Sequence, residues 1–195
     1  MNLFYLDEDP RISAKYHCDQ HALKMIVEYA QMMSAAHRVI DGSECKILST
    51  KTGRSRKYWE HPTLEDVLYK PTHVNHPTSI WVRESTGNYM HTYLLFYYLS
   101  QNYFARTNRV HKSWEKLANA ICRHPDIKKR EFTPPPQCMP EEFRMDDTVE
   151  AYRNFYNKDK SRFATFKLNG TPHWYNPLFT NDRECDILIS DGDIV

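Results

Sequence analysis

The chain is poor in glycine, which accounts for five of its 195 residues. Neither G-x-x-x-x-G-K-[ST] nor G-x-G-x-x-G occurs, which makes nucleotide binding by a glycine-rich loop improbable. There is also no G-x-S-x-G nucleophile elbow and no recognisable Cys/His catalytic signature. The scarcity of glycine, together with long periodic stretches, favours helices over a many-turned β fold.

Paired cysteines and long apolar runs are missing as well. No C-x-x-C occurs, no secretory apolar region opens the chain, and no run approaches the roughly 18 apolar residues that a membrane span needs. We expect an intracellular protein with reduced thiols and no membrane association. The five cysteines are Cys18, Cys45, Cys122, Cys138 and Cys185.

Charge is nearly balanced overall, at +1, but it is unevenly distributed. Residues 180–195 hold five acidic side chains and one basic side chain. The remaining 1–179 therefore carry 25 Lys and Arg against 20 Asp and Glu. We predict one domain over 1–179 and an acidic tail over 180–195. The tail either aids solubility or competes with a polyanion for a basic face.

Helical periodicity dominates the domain and predicts a compact all-α fold of about four helices with long irregular loops. The apolar residues 1–6 are expected to be an extended segment packed among the helices. Residues 41–77 and the proline-rich 124–146 are predicted to be loops. The four helices are predicted at 10–40, 78–103, 112–123 and 148–166.

Basic and aromatic residues adjoin within the first loop. This arrangement suits phosphate contact with base stacking, and it equally suits a charged loop that Trp59 anchors to the core. The residues concerned are Lys51, Arg54, Arg56, Lys57, Tyr58 and Trp59.

One stripe of the first predicted helix carries His21, Lys24 and Glu28, spaced so that they share a face. This stripe is either a group of catalytic residues or a solvated surface with a Lys24–Glu28 ion pair worth ~0.3–0.5 kcal/mol.

Metal binding is a weaker alternative, although the chain has ten histidines. In H-x-D-x-H at 17–21, alternate residues point to opposite sides of a helix and cannot share an ion. A metal-dependent nuclease would instead have to use His61, His73 and His76.

An amine and a carboxylate offer a further mechanism. The α-amino group has an unperturbed pKa near ~7.7–8.0, so a useful fraction is neutral and nucleophilic at cellular pH. Its attack on a sugar C1′ gives a Schiff base, and a nearby Glu28 would move protons and stabilise positive charge.

Four short motifs follow one another along the chain: C-D-Q-H-A-L-K-M-I-V-E at 18–28, K-P-T through H-x-T at 70–78, P-E-E-F-R at 140–144 and P-H-W-Y at 172–175. In this order they resemble motifs of the pyrimidine-dimer DNA glycosylase/AP lyase family known from bacteriophage. The first motif resembles the family's first helix, with Asp19, Gln20 and His21 followed by Glu28.

The resemblance implies a compact all-α DNA repair enzyme that needs neither cofactor nor metal. Its N-terminal amine would be the nucleophile, Glu28 the acid/base, and His21 a supporting residue. The implied partner is double-stranded DNA with damaged pyrimidines such as UV dimers, bound by a monomer in the cytoplasm of a bacterial host if the chain is phage-encoded. The residues expected to contact DNA are Lys24, Gln31, His76, Arg144, Lys158, Arg162, Lys167, Trp174 and Tyr175.

The sequence departs from the family at three positions. Asn2 replaces a small threonine, so Met1 is expected to be retained and to supply the amine, or Asn2 would supply it after processing. Val27 and Gln31 replace two arginines that flank the catalytic glutamate. A non-catalytic DNA-binding relative is therefore the main alternative, beside the metal nuclease.

Overall fold

The computed structural model describes residues 1–48 and 53–177. Within these ranges there are six α-helices and one pair of β-strands. The predicted acidic tail, Cys185 and Lys51 lie outside the described residues. The elements are α1 (Pro10–Tyr16), α2 (Asp19–Asp41), β1 (Ser43–Leu48), β2 (Ser55–Glu60), α3 (Pro77–Val82), α4 (Thr86–Thr107), α5 (Lys112–Ile121) and α6 (Thr148–Phe155).

The prediction of an all-α fold with about four helices is wrong, because residues within 41–77 form an antiparallel hairpin. Its strands are largely exposed, so burial imposes little alternation of apolar and polar residues. Only the short alternation around Cys45 and Ile47 carries the period of a half-buried strand. The chain is therefore mixed, with mostly helices and one β-ribbon.

Two of the predicted helices are interrupted. His17 and Cys18 are extended, so the helix predicted at 10–40 divides into α1 and α2. Ser85 is also extended, and its hydroxyl accepts a hydrogen bond from the N–H of Asn88, which starts α4 as a new helix. The last helix is shorter than predicted, since α6 passes into a π-helical turn at Tyr156–Lys160.

Helix α2 lies at the centre of the core and is buried on more than one face. It packs against α3, α4 and α5, and the N-terminal residues 3–6 are buried beside it. The side that remains accessible carries the polar stripe of Gln20, Lys24, Glu28 and Gln31. The position of α2 brings the N-terminus and the stripe with Glu28 into one region.

Gly87 lies in the first turn of α4, where another segment crosses it. Its N–H donates to the carbonyl of Arg130 at 3.0 Å, and a Cβ at this position would lie 2.2 Å from the backbone nitrogen of Phe132. Glycine is therefore required by the close approach of 130–132, in spite of its low helix propensity.

Arg38 joins the hairpin to the C-terminal half of α2. Its side chain is fully buried, donates to the carbonyls of Trp59 and Tyr69, and pairs with Glu65 at 2.5 Å. Glu65 in turn accepts hydrogen bonds from the Tyr58 hydroxyl and the His61 N–H. The base of the ribbon is thus fixed to the helix by a buried guanidinium, whose planar group donates several hydrogen bonds at once.

Candidate functional site

The N-terminal segment is held by a hydrogen-bond network that reaches α1 and α2. Phe4 N–H donates to the Tyr29 hydroxyl at 3.3 Å, and this hydroxyl lies 3.0 Å from His17 Nε2. The Ser13 hydroxyl donates to the Phe4 carbonyl and accepts from Leu6 N–H. These bonds satisfy backbone groups that burial would otherwise leave unpaired, so the segment has a defined position.

His76 lies within electrostatic reach of both the α-amino group of Met1 and the carboxylate of Glu28. Burial lowers the pKa of His76, the positive charges of the N-terminal amine and His73 lower it further, and the carboxylate of Glu28 opposes the shift. Met1 itself packs against the core, and its sulfur accepts a hydrogen bond from Ser79 at 3.9 Å. His76 is thus the residue whose surroundings include both the amine and the carboxylate.

Glu28 is mostly enclosed, with 15% of its side chain exposed. Its Oε1 lies 3.1 Å from Nζ of Lys24, whose side chain is 64% exposed. A simple solvated ion pair would expose both partners, so the stripe on α2 presents a sheltered carboxylate with a cation at its outer edge. Sheltering strengthens the electrostatic influence of a carboxylate on a neighbouring positive charge.

His21 lies beneath the N-terminal segment and is buried. Phe4 stacks on its ring at 4.3 Å, and its Nδ1 is 2.5 Å from the Tyr156 hydroxyl. Burial, with smaller contributions from the charges of His17, Lys160 and Lys24, lowers the pKa of His21 to about 3. The ring is therefore neutral at cellular pH, which suits a residue that positions the segment carrying the amine.

A cleft of about 610 Å³ opens beside His76. Arg144 and Gln137 contribute to its wall, and Arg144 Nε donates to the Met139 carbonyl at 3.2 Å. His76 Nδ1 accepts from the N–H of Thr78, so the proton of the neutral ring is on Nε2. The predicted DNA contacts His76 and Arg144 are thus brought together near the amine.

The cleft of about 620 Å³ at the start of α4 is of similar size but does not include the predicted residues. Acidic and basic side chains line it in equal number, which does not favour an anionic ligand. They are Arg83, Lys128 and Arg130, with Glu84, Asp126 and Glu131.

The basic residues predicted from the last helix lie near its end or beyond it. Lys158, Arg162 and Lys167 are all exposed, as phosphate contact requires. Lys158 is in the π-helical turn, and the Arg162 guanidinium lies 5.8 Å from the centre of the Phe163 ring.

Trp174 and Tyr175 lie against the helical body and are half-buried. The Trp174 ring packs near Tyr16 and Tyr156, and Tyr175 packs against Phe166 at 4.7 Å. Tyr156 also bonds His21, so these aromatics connect to the N-terminal segment through one shared neighbour.

Asp19, which belongs to the D-Q-H motif, is a structural residue. Its carboxylate accepts from the Thr165 hydroxyl at 2.8 Å and pairs with Arg106 at 3.1 Å. These contacts tie the segment after α6 to the start of α2. The residues Val27 and Gln31, which replace the family's arginines, are half-buried, as is Asn2.

The three histidines of the metal alternative are not brought together. Among the described residues, the only group of three ligand atoms within 4.8 Å of one another is His37, Asp41 and His61. His61 Nδ1 accepts from the N–H groups of Thr63 and Leu64, so its Nε2 carries the proton and offers no lone pair to a metal. The hydrogen bonding of this group therefore does not fit a metal ion.

Residues that the sequence did not identify are Tyr29, Ser13 and His17, which position the N-terminal segment. Their contacts join residues up to 25 positions apart, and no periodic pattern marks such contacts. The adjacency of Tyr29 to Glu28 on α2 is the one local signal that a hydroxyl lies near the expected site.

Comparison with protein-family models, curated proteins and solved structures found no match to this chain. In the part of the chain that the structure describes, no helix is both long and apolar enough to cross a bilayer.

Proposed function

We propose that the protein is a DNA glycosylase with AP lyase activity on damaged pyrimidines such as UV dimers. The observation that carries the proposal is that the Met1 amine and the carboxylate of Glu28 both lie within electrostatic reach of His76. An amine nucleophile and a sheltered carboxylate are the two groups that Schiff-base cleavage of a deoxyribose needs. The resemblance of the four ordered motifs to the pyrimidine-dimer glycosylase family supports the same assignment.

The first chemical step is attack of the neutral amine on C1′ of the damaged nucleotide. The N-glycosidic bond breaks, and the base leaves with the electron pair and takes up a proton. The amine nitrogen loses a proton, and its lone pair then expels O4′ from C1′, which opens the sugar ring and leaves a hydroxyl at C4′ and an iminium ion at C1′. The carboxylate of Glu28 stabilises this positive charge, and His76 Nε2–H is a donor for the sugar or a phosphate oxygen.

The second step is β-elimination. Glu28 removes a proton from C2′, the electron pair forms the C2′–C3′ double bond, and the C3′–O bond breaks to release the phosphate. Water then hydrolyses the imine and regenerates the amine. His21, Tyr29 and Phe4 act as positioning residues, because they fix the segment that carries the nucleophile.

DNA binding in this proposal uses Arg144 and His76 beside the cleft, the exposed Lys24 on α2, and the exposed basic residues that follow α6. A monomer acting on double-stranded DNA inside a cell is part of the same proposal.

Borohydride trapping tests the mechanism. Incubation with a duplex containing one abasic site or one thymine dimer, followed by reduction, should give a covalent adduct whose modified residue is Met1 by mass spectrometry, or Asn2 if Met1 is removed. Acetylation of the amine should abolish the adduct. One extra glycine before the native terminus should lower trapping at least 100-fold, because small displacements of a reacting group are costly.

The control is protein whose lysines are acetylated while the N-terminal amine is reversibly protected, after which the protection is removed. This protein should still form the adduct. DNA binding without an adduct on either substrate would contradict the lyase assignment and favour a non-catalytic DNA-binding protein. EDTA-sensitive cleavage without an adduct would contradict it in favour of a metal nuclease.

A further inference from the structure

The β-ribbon formed by β1 and β2 is a second surface suited to DNA. Its register pairs Lys46 with Lys57 and Ile47 with Arg56. Directly paired residues of an antiparallel ladder share a face, so the two lysines lie on one face and Arg56 on the other. Each face also carries one exposed acid, Glu44 on the face of the lysines and Glu60 on the face of Arg56. The three basic side chains of the ribbon therefore exceed the acidic ones by one charge.

The two lysines repel each other in the free protein, since like charges directly opposite in a sheet are destabilising. Lys57 is partly neutralised by Glu44, with Nζ and Oε1 2.9 Å apart, whereas Lys46 pairs with no described acidic residue. A polyanion bound beside this face would attract both lysines and so offset their mutual repulsion.

Most of the ribbon is exposed. In the described part of the two strands, Tyr58 is the one buried residue, and Leu48 is 72% exposed. A two-stranded ribbon with little burial is only marginally stable alone. Its base is nonetheless rigid, because Arg38 donates to the Trp59 carbonyl and Tyr58 bonds Glu65.

The dimensions of the ribbon and its distance from the candidate site suit B-form DNA. The major groove is about 12 Å wide and admits a two-stranded β-ribbon. Glu28 and Asp41 are thirteen residues apart on α2, about 20 Å along the helix axis. This distance corresponds to roughly six base pairs of duplex, on the order of half a helical turn of DNA.

We infer that the ribbon of Ser43–Leu48 and Ser55–Glu60 enters the major groove of B-form DNA, with Lys46 and Arg56 contacting phosphates on opposite strands. The placement of this contact beside a lesion rests on the proposed function, whereas the contact itself depends only on the ribbon. The ribbon holds undamaged duplex next to the site and takes no part in the chemistry.

Neutralisation of the ribbon tests the inference. Lys46→Gln with Arg56→Gln should weaken binding of an undamaged 25-base-pair duplex at least tenfold at 0.1 M salt in fluorescence anisotropy (an expected outcome based on about 0.9 released counterion per phosphate contact). The slope of log K against log salt should become shallower by about 1.8 for two lost contacts. The matched control, Arg109→Gln with Lys112→Gln, removes two exposed charges elsewhere and should change the affinity less than twofold.

A gain of affinity gives a second test that misfolding cannot imitate. Leu48→Lys adds a cation to the same face as Lys46 and should steepen the salt slope by about 0.9. Double-stranded RNA of the same length should compete at least tenfold less well than DNA, because its major groove is deep and too narrow for protein elements.

The results separate the ribbon from the chemistry. If the neutralised ribbon binds duplex like its control, or if RNA competes equally, groove insertion is overturned. If the ribbon variant loses affinity but the wild-type protein forms no borohydride adduct, the ribbon contact stands and the lyase proposal fails. At a concentration that saturates the DNA, the variant Lys46→Gln with Arg56→Gln should still form the borohydride adduct with an abasic oligonucleotide. Failure to form it would show that the ribbon belongs to the reaction site.

Discussion

Glu28 and Glu150 each form an ion pair with a basic residue one turn away on the same helix, but Glu28 is the more enclosed of the two. Its side chain is 15% exposed beside a well-exposed Lys24, whereas Glu150 pairs with Arg153 at 56% exposure. The same chemical change at both glutamates therefore removes one helical ion pair in each case. Only at Glu28 does it remove a carboxylate that acts on His76, as the N-terminal amine also does.

We expect Glu28→Gln to lower single-turnover cleavage of abasic duplex at least about 100-fold, the usual effect of losing a general acid or base. DNA affinity should stay within threefold of wild type, and the free energy of unfolding should change by less than about 1 kcal/mol, as for a helical ion pair. Quench-flow cleavage and anisotropy measure the two quantities.

Glu150→Gln is the matched control and should leave cleavage unchanged. Equal cleavage by the two variants would show that Glu28 is only a structural charge. A fall in cleavage that follows a large loss of stability in Glu28→Gln would show the same.

At the level of elements, the junction between α2 and the ribbon depends on Arg38. The buried guanidinium donates to the backbone carbonyls of Trp59, Glu65 and Tyr69 and pairs with the Glu65 carboxylate. An apolar side chain in place of Arg38 would leave these acceptors unpaired. Removing one partner of a buried ion pair typically costs about 3–5 kcal/mol.

Arg38→Met should therefore lower the free energy of unfolding by about 3 kcal/mol or more in urea denaturation. Arg38→Lys should recover less than half of the loss, because an ammonium group cannot donate in the planar, multiple geometry of a guanidinium. Complete recovery by lysine would indicate that charge alone, without geometry, holds the ribbon.

The segments that are helical were predictable, since local periodicity records which face is buried, but the number of helices and their breaks were not. The structure has α5 at Lys112–Ile121, inside the predicted 112–123. The hairpin could not be predicted in the same way, because its exposed strands are held by Arg38 and Glu65 from distant parts of the sequence. The break at Cys18 likewise depends on the tertiary bond from Asp19 N–H to the Thr165 carbonyl.

The candidate site was predictable only where its residues share α2. Lys24 and Glu28 are adjacent on the helix, and sequence spacing alone pairs them. The approach of His76 to the amine and the network of Tyr29 and His17 arise from packing between elements, which no local pattern records.

For the molecule as a whole, buried neutral histidines make stability depend on pH. Burial lowers the pKa of His17, His37 and His91 to about 4 and that of His21 to about 3. The unfolded chain, with histidine pKa near ~6.5, binds more protons than the folded chain between these values, so stability rises with pH in that interval.

We expect the free energy of unfolding to fall by at least about 3 kcal/mol between pH 7 and pH 5, as several groups each contribute up to ~1.4 kcal/mol per pH unit. His91→Phe tests one contribution, because His91 packs between Tyr5 and Phe132 and its Nε2 has no described partner. In this variant the free energy of unfolding should depend less steeply on pH, by a slope that corresponds to at most one proton.

The exposed His173→Gln is the control and should keep the wild-type dependence in urea titrations across this pH range. An unchanged slope in His91→Phe would contradict the assignment of a neutral buried ring.

Below pH 4.5 the free energy of unfolding should fall a second time, because of Glu65. Burial raises the pKa of Glu65, but hydrogen bonds from Arg38 and Tyr58 outweigh burial and hold this pKa at about 2. The contribution of Glu65 to stability therefore disappears as the pH falls through that value.

The burial of residues 3–6 also has a consequence for biosynthesis. Phe4 and Leu6 meet Ser13 and Tyr29 early in synthesis. Arg153, which donates to the Leu6 carbonyl at 3.0 Å, and Tyr156, which packs against Phe4, leave the ribosome much later. During most of translation this apolar N-terminal segment therefore lacks the part of its packing that α6 and the π-helical turn provide, and it is completely buried only when synthesis of the helical body is nearly finished.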